Sequence, residues 1–306
     1  EPNTQRYSKM TATTHSAPFI SMCNQITLGL IKLRRPALLL ALCLFCSLRP
    51  CAALAGLEEG VAAYNRSDYA TALREFKLLA SQGHAGAQAN LGVMYGNGQG
   101  TVKDYKEAMK WFELAAQQGD VGAQTNLALM YKNGQGKAQD FSQALYWYRL
   151  AASQGDALGQ TGLAVMFERG QGVAKNLQEA LFWYQRAADQ GSALAQYNLG
   201  LIYAKGQGVT PNPVLAYALW SVSAAGDPSH ENPANAHRME LAESFPPKVL
   251  EAAQRLAAEL DKPGNLLKGL NAFLNNPAAA EKTKYTAAQR AQIKAVVGRQ
   301  AVGVAI

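Results

Sequence analysis

The sequence predicts an all-α fold: an α-solenoid of stacked helix-turn-helix repeats, closed by C-terminal capping helices. Three observations predict it. Glycines recur every 36 residues, at Gly83, Gly119, Gly155 and Gly191, at Gly98, Gly134, Gly170 and Gly206, and at Gly100, Gly136, Gly172 and Gly208. Large side chains hold the same register, Leu91, Leu127, Leu163 and Leu199 in one column, Tyr95, Tyr131, Phe167 and Tyr203 in another. Within a unit the apolar residues fall at helical spacing, as Ala87, Leu91 and Tyr95 do. A hairpin this short cannot bury its own apolar face, so neighbours must stack.

Each element has a local cause. In the first complete unit, Asn97-Gly98 supplies the left-handed residue that ends the first helix. Asp104 and Glu107 open the second helix as a capping box, which satisfies two free backbone N–H groups. Asp140 with Gln143, and Asn176 with Glu179, fill the same slots, and Asn212 precedes Pro213 at a first helical position. Ala108, Trp111, Phe112, Ala115 and Ala116 form the buried face of that second helix, and Gly119 stops it. Trp111, Trp147 and Trp183 recur at 36, which places Trp147 in the core between hairpins. Trp220 falls one residue late, as an insertion near Pro211 would produce.

Asn90-Leu-Gly-Val-Met-Tyr-Gly-Asn-Gly-Gln-Gly100, Asp104-Tyr-Lys-Glu-Ala-Met-Lys-Trp111 and Ala115-Ala116-Gln-Gln-Gly119 together resemble the Sel1-like repeat, a relative of the tetratricopeptide repeat. The resemblance covers about residues 57–227: a shortened opening unit at 57–83, three full units, and an altered fourth. It implies a binding scaffold more than a chemistry. Secreted members of this kind resemble envelope regulators and scaffolds. A cysteine-rich subgroup linked to β-lactams resembles this chain less.

Four segments are expected: 1–55, the repeats at 56–227, capping helices at 228–263, and a basic tail at 264–306. The tail carries six Lys/Arg and one Glu, and Thr286–Val297 reads as a basic amphipathic helix. Ala234–Phe245, Lys248–Leu260 and Leu266–Leu274 read as helices. At the other end, Lys32, Arg34 and Arg35 precede an apolar run from Ala37 to Leu48 and then Ala53-Leu54-Ala55, the parts of a secretory signal peptide. Twelve apolar residues fall short of the roughly 20 that a membrane span needs, although an uncleaved anchor is the competing reading. Met22 is a candidate start. Cleavage after Ala55 removes Cys23, Cys43, Cys46 and Cys51, leaving a periplasmic or secreted product with no disulfide.

The net charge of +7 over 306 residues, with 48% hydrophobic and 17% charged, describes a globular chain with a basic excess. Residues 1–55 hold six of the 29 basic residues and one of the 22 acidic. Positions 56–306 keep 23 and 21, a net of +2. That balance argues against nucleic acid. No catalytic residue is assigned: there is no Gly-x-Ser-x-Gly, no Ser-x-x-Lys and no cysteine after Ala55. The Gly-x-Gly turns lack the strand or Gly-Lys-Ser/Thr of a phosphate cradle. His84 occupies a turn position. His230, His237 and Glu240 lack a metal-binding spacing, so neither metal nor cofactor is expected.

The function expected is that of a non-enzymatic periplasmic scaffold or regulator with a protein or peptide partner. The alternative is a cell-envelope enzyme acting on peptidoglycan-like or β-lactam substrates. In tetratricopeptide-like solenoids the first helices line the concave side. By that resemblance the partner row is Asn90, Val93 and Asn97, then Asn126, Leu129 and Asn133, then Val165 and Arg169, then Tyr197, Leu201 and Lys205. Asn side chains both donate to and accept from a peptide backbone. The alternative is that the Asn column packs one repeat on the next.

Overall fold

The computed structural model describes residues 56–229 and 232–276, and the segment expected to be a signal peptide lies outside them. The described residues form 13 helices and no strand. The chain divides into two compact units, with the division after Gln139.

The first unit holds α1 (56–65), α2 (Tyr69–Ser81), α3 (Ala85–Asn97), α4 (Tyr105–Gln117) and α5 (Val121–Asn133). The second holds α6 (Phe141–Ser153), α7 (Ala157–Arg169), α8 (Leu177–Asp189), α9 (Ala193–Lys205), α10 (Pro213–Gly226), α11 (Ala234–Glu243), α12 (Pro247–Leu260) and α13 (Leu266–Leu274). Odd-numbered helices from α3 to α9 are first helices of repeats, and the even-numbered helices that follow them are second helices.

The expected caps form. Asp104 Oδ1 accepts from the N–H groups of Lys106 and Glu107 at 2.8 and 3.1 Å, and Asp140 and Asn176 repeat this. The reciprocal half of the capping box does not. The N–H of Asp104 donates to the Tyr95 carbonyl at 2.9 Å, and the equivalent groups of Asn176 and Asn212 donate to Phe167 and Tyr203. These bonds tie the second helix of a repeat back to the first, while Glu107 turns to Lys110.

Gly98, Gly134, Gly170 and Gly206 have φ near +70°, as left-handed caps require. The second glycine of each loop does a different job. A Cβ on Gly172 would stand 2.5 Å from the Phe141 carbonyl oxygen, and one on Gly100 2.7 Å from that of Tyr69. The loops at Gly100, Gly136 and Gly172 thus rest against the backbone that starts the preceding repeat's second helix, closer than a side chain permits.

The core is an aromatic column between helices. In the first unit Phe112 lies over Gly92 and Phe76 over Gly60, each ring within 3 Å of where a Cβ would be. In the second unit Trp220 lies over Gly200 in the same way, and Tyr148 lies over Gly162 of the first helix that follows it. Trp220 is therefore the fourth member of the column Phe112, Tyr148, Tyr184. The expected insertion near Pro211 is absent, since the caps Asp104, Asp140, Asn176 and Asn212 keep the 36-residue spacing. Leu219 fills the place of Trp183. The Trp111, Trp147 and Trp183 column is only half-buried, because it sits one residue round the helix from that core.

Helix α10 is buried nearly all round because α11 and α12 pack on it. Pro246 stops α11, and Pro247 starts α12. Helix α13 then returns to α8, where the Leu267 N–H donates to Asp189 Oδ1 at 3.0 Å.

Candidate functional site

The expected partner row splits by burial. Val93, Asn126, Val165 and Tyr197 are at most 5% exposed. They cannot present their side chains to a partner, which corrects the face assigned to them. The reason is the glycine-aromatic packing: a Cβ on Gly162, which holds the Asn126 position one repeat later, would stand 2.4 Å from the Tyr148 ring. The column that carries Asn126 and Asn198 points at the preceding repeat's core ring, so the packing reading of the asparagines holds for the buried ones. Burial also pushes the Tyr197 phenol up to about 12, and its ring meets His237 edge-on at 5.6 Å.

The rest of the row reaches solvent. Asn90 is half-buried, and Asn97 donates to Gln99 Oε1 at 3.3 Å. Gln99 in turn accepts from the Tyr64 hydroxyl at 2.7 Å and donates to that of Tyr69. Asn97 therefore serves the loop. In the first unit this leaves half-buried Leu129 and exposed Asn133. In the second it leaves Arg169, Leu201 and Lys205, with Arg169 and Lys205 exposed at equivalent positions one repeat apart. The only carboxylate within the first helices α3, α5, α7 and α9 is Glu168. It accepts from the Tyr184 hydroxyl at 2.7 Å, and burial and that carboxylate hold the phenol well above its ordinary range.

A second polar column went unread in the sequence. Gln88, Gln124, Gln160 and Gln196 stand at the 36-residue period and are all buried. Each donates its Nε2 to the carbonyl of Ala80, Ala116, Ala152 or Ala188, at 3.1 to 3.4 Å, and so satisfies the free C-terminal end of a preceding helix. Gln118 and Gln190 donate in turn to the Oε1 atoms of Gln88 and Gln160, at 2.7 and 2.8 Å. Gly226 stands where the next such glutamine would be, and Gln196 Oε1 is left buried without a donor. The 36-residue period of these glutamines is visible in the sequence, but their burial is not.

The histidines serve structure. His84 Nδ1 accepts from the Ala87 N–H at 3.4 Å and so caps α3. His237 is buried between Trp220 and Tyr197, with Nδ1 2.9 Å from the Pro233 carbonyl oxygen. His230 and Glu231 lie outside the described residues. Among those described, no three His, Cys, Asp or Glu residues gather as metal ligands, and no helix is long and apolar enough to cross a membrane.

A family model for the Sel1 repeat matches residues 85–120, 121–156, 157–192 and 193–227. Each match begins at a first helix and runs through the second. The hairpin α1–α2 lies outside them, although Phe76 over Gly60 repeats their packing. Two solved structures share the fold. A Sel1 repeat protein from Oxalobacter formigenes is 25% identical with a TM-score of 0.53, over 80% of this chain and 83% of that one. A protective antigen of uropathogenic Escherichia coli strains, which displays an SLR fold, is 26% identical with a TM-score of 0.52, over 81% of this chain and 61% of that one. No curated protein matches the sequence.

Proposed function

We propose that this chain, a Sel1-like repeat protein, is exported and holds a protein or peptide partner on the exposed side chains of its first helices. Sel1 repeats generally mediate protein–protein interaction, and the family is typically non-catalytic. One observation carries the finer reading. Leu129 and Asn133 in one unit, and Arg169, Leu201 and Lys205 in the other, recur in register and reach solvent, and none of their side chains enters a hydrogen bond or ion pair among the described residues. Elsewhere the repeat commits its polar side chains to its own joints, as the glutamine column does. Within the second unit Leu201 stands in register with the cationic Arg169 and Lys205, a combination that suits an extended or helical segment of a partner. Export rests on the basic cluster, apolar run and small-residue site before Gly56.

The experiment is partner recovery from cell envelopes by the parent chain and by Leu129→Arg with Leu201→Arg. Recovery should be lost while helical content and melting temperature stay within about 0.5 kcal/mol of the parent, as for surface changes. Unchanged recovery would rule the row out. Intact mass of the exported protein should begin at Gly56, and a membrane-bound product that keeps residues 36–51 would contradict the export reading.

A further inference from the structure

We propose that the outer face of α6 and α8 is a docking site for the chain's own C-terminal segment, residues 286–297. The face lies within one compact unit, and α6 and α8 both pack on α7. It carries two large aromatic side chains at equivalent positions, Tyr146 at 54% and Phe182 at 44% exposure. Each meets the tryptophan that follows it edge-on, at 5.0 and 5.1 Å, and Arg186 lies over the Phe182 ring at 4.7 Å. Exposed aromatic side chains repeated at one position of neighbouring repeats give this face apolar area that a covering segment would bury.

The next repeat shows how the fold covers this face. On α8 the outward positions Gln178, Glu179, Phe182 and Arg186 are exposed. Their counterparts on α10, Val214, Leu215, Ala218 and Val222, are all buried, on the helix that α11 and α12 pack against. The chain is already moving from α10 toward α8, because α13 packs on α8 and is tied to Asp189. Described residues end at Asn276, and 30 more follow.

Reach and chemistry agree. Phe182 lies seven residues before Asp189, or about 10 Å along the helix axis. The ten residues from Asn276 to Thr286 span up to about 33 Å when extended. In a helical segment Ile293 and Val297 share one stripe, with Arg290 and Lys294 beside it. The apolar stripe matches Phe182 and Tyr146. For the cations the face offers one exposed carboxylate, Glu179, one turn before Phe182 and with no ion-pair partner among the described residues, while Arg186 is held over the Phe182 ring. The occupant is thus this chain's own segment, continuing the cover that α12 begins.

Limited trypsin digestion of the full chain, read by mass spectrometry after Arg290 and Lys294, tests the assignment. Those bonds should be cut at least tenfold more slowly than in a free peptide of residues 277–306. In Tyr146→Glu with Phe182→Glu they should be cut at the peptide's rate, with the thermal transition of the repeats unchanged. Cleavage of the parent at the peptide's rate, or protection that survives the double substitution, overturns the proposal. A benzoylphenylalanine photocrosslinker at position 182 gives an independent reading. The proposal requires an intramolecular adduct to residues 286–297, and an adduct that joins two copies or forms elsewhere overturns it.

Discussion

Replacing Gly172 by alanine should damage the protein far more than the same change at Gly155, although both glycines have positive φ. Gly155 has φ +90° and nothing within 4 Å of a would-be Cβ. Alanine there meets only left-handed strain, about 1–2 kcal/mol, offset by about 0.4–1 kcal/mol through a less flexible unfolded chain. The net cost is about 1 kcal/mol. Gly172 has φ +68°, and its Cβ would lie 2.5 Å from the Phe141 carbonyl oxygen and 2.8 Å from the carbonyl carbon. That backbone opens α6 and is held by the Asp140 cap, so it cannot retreat as a flexible side chain does. Overpacking of this kind adds about 1–3 kcal/mol, for a total of about 2–4 kcal/mol. With about 2–4 °C per kcal/mol in a chain of this size, the expected drops are roughly 3 °C for Gly155→Ala and roughly 10 °C for Gly172→Ala. Gly170→Ala is the intermediate control, with φ +69° and its nearest neighbour atom at 3.3 Å. Thermal melts of the three variants by circular dichroism decide the matter. Equal drops for Gly155→Ala and Gly172→Ala would refute the claim that the loop glycine is held by repeat-to-repeat contact.

Further substitutions test the interior. Trp220→Ala should cost about 3–5 kcal/mol, as a large aromatic deletion from a core does. Trp147→Ala should cost less, since Trp147 is half-buried, and denaturant melts that rank them the other way would refute the column assignment. Gly226→Gln should stabilise the chain beyond Gly226→Ala by about 0.5–1.5 kcal/mol, the net worth of a hydrogen bond, by giving Gln196 Oε1 its missing donor; equal melting would contradict this. Burial holds the Asp120 carboxyl above its ordinary range despite the Ala123 N–H bond. Its stabilising contribution is therefore full below the ordinary carboxylate pKa and is lost as pH rises through the raised one. Asp120→Asn keeps the cap and should gain stability at pH 7 but not at pH 3; melts showing the reverse order would refute that sign.

The fold was legible because a repeat writes its backbone needs four times over. Gly98 and its equivalents demand left-handed caps, Asp104 and its equivalents demand helix starts, and no tertiary context overrides either. Leu266–Leu274 was readable for the same local reason, with apolar spacing between Gly264 and Asn275. Faces were harder. Leu91 and Tyr95 marked a buried stripe, but the close approach at Gly92 and Gly162 widens it, and Val93 and Asn126 fall inside. Trp220 was misplaced because size suggested the Trp183 column, whereas the caps and Gly200 fix it in the Phe112 column. The glutamine column escaped notice because hydropathy cannot tell a solvated amide from one that closes a helix end. Of the partner row, residues at the last turn of each first helix stayed outside, since beyond them the chain leaves for the loop.

The most direct test of the scaffold account places benzoylphenylalanine at position 201, in the exposed row of α9, in the exported full-length protein, with the same probe at exposed Leu78 as reference. The account predicts an adduct to another polypeptide from position 201 and none from 78, with the adduct lost when Lys205→Glu is added. No adduct from 201, or equal adducts from both positions, would contradict it.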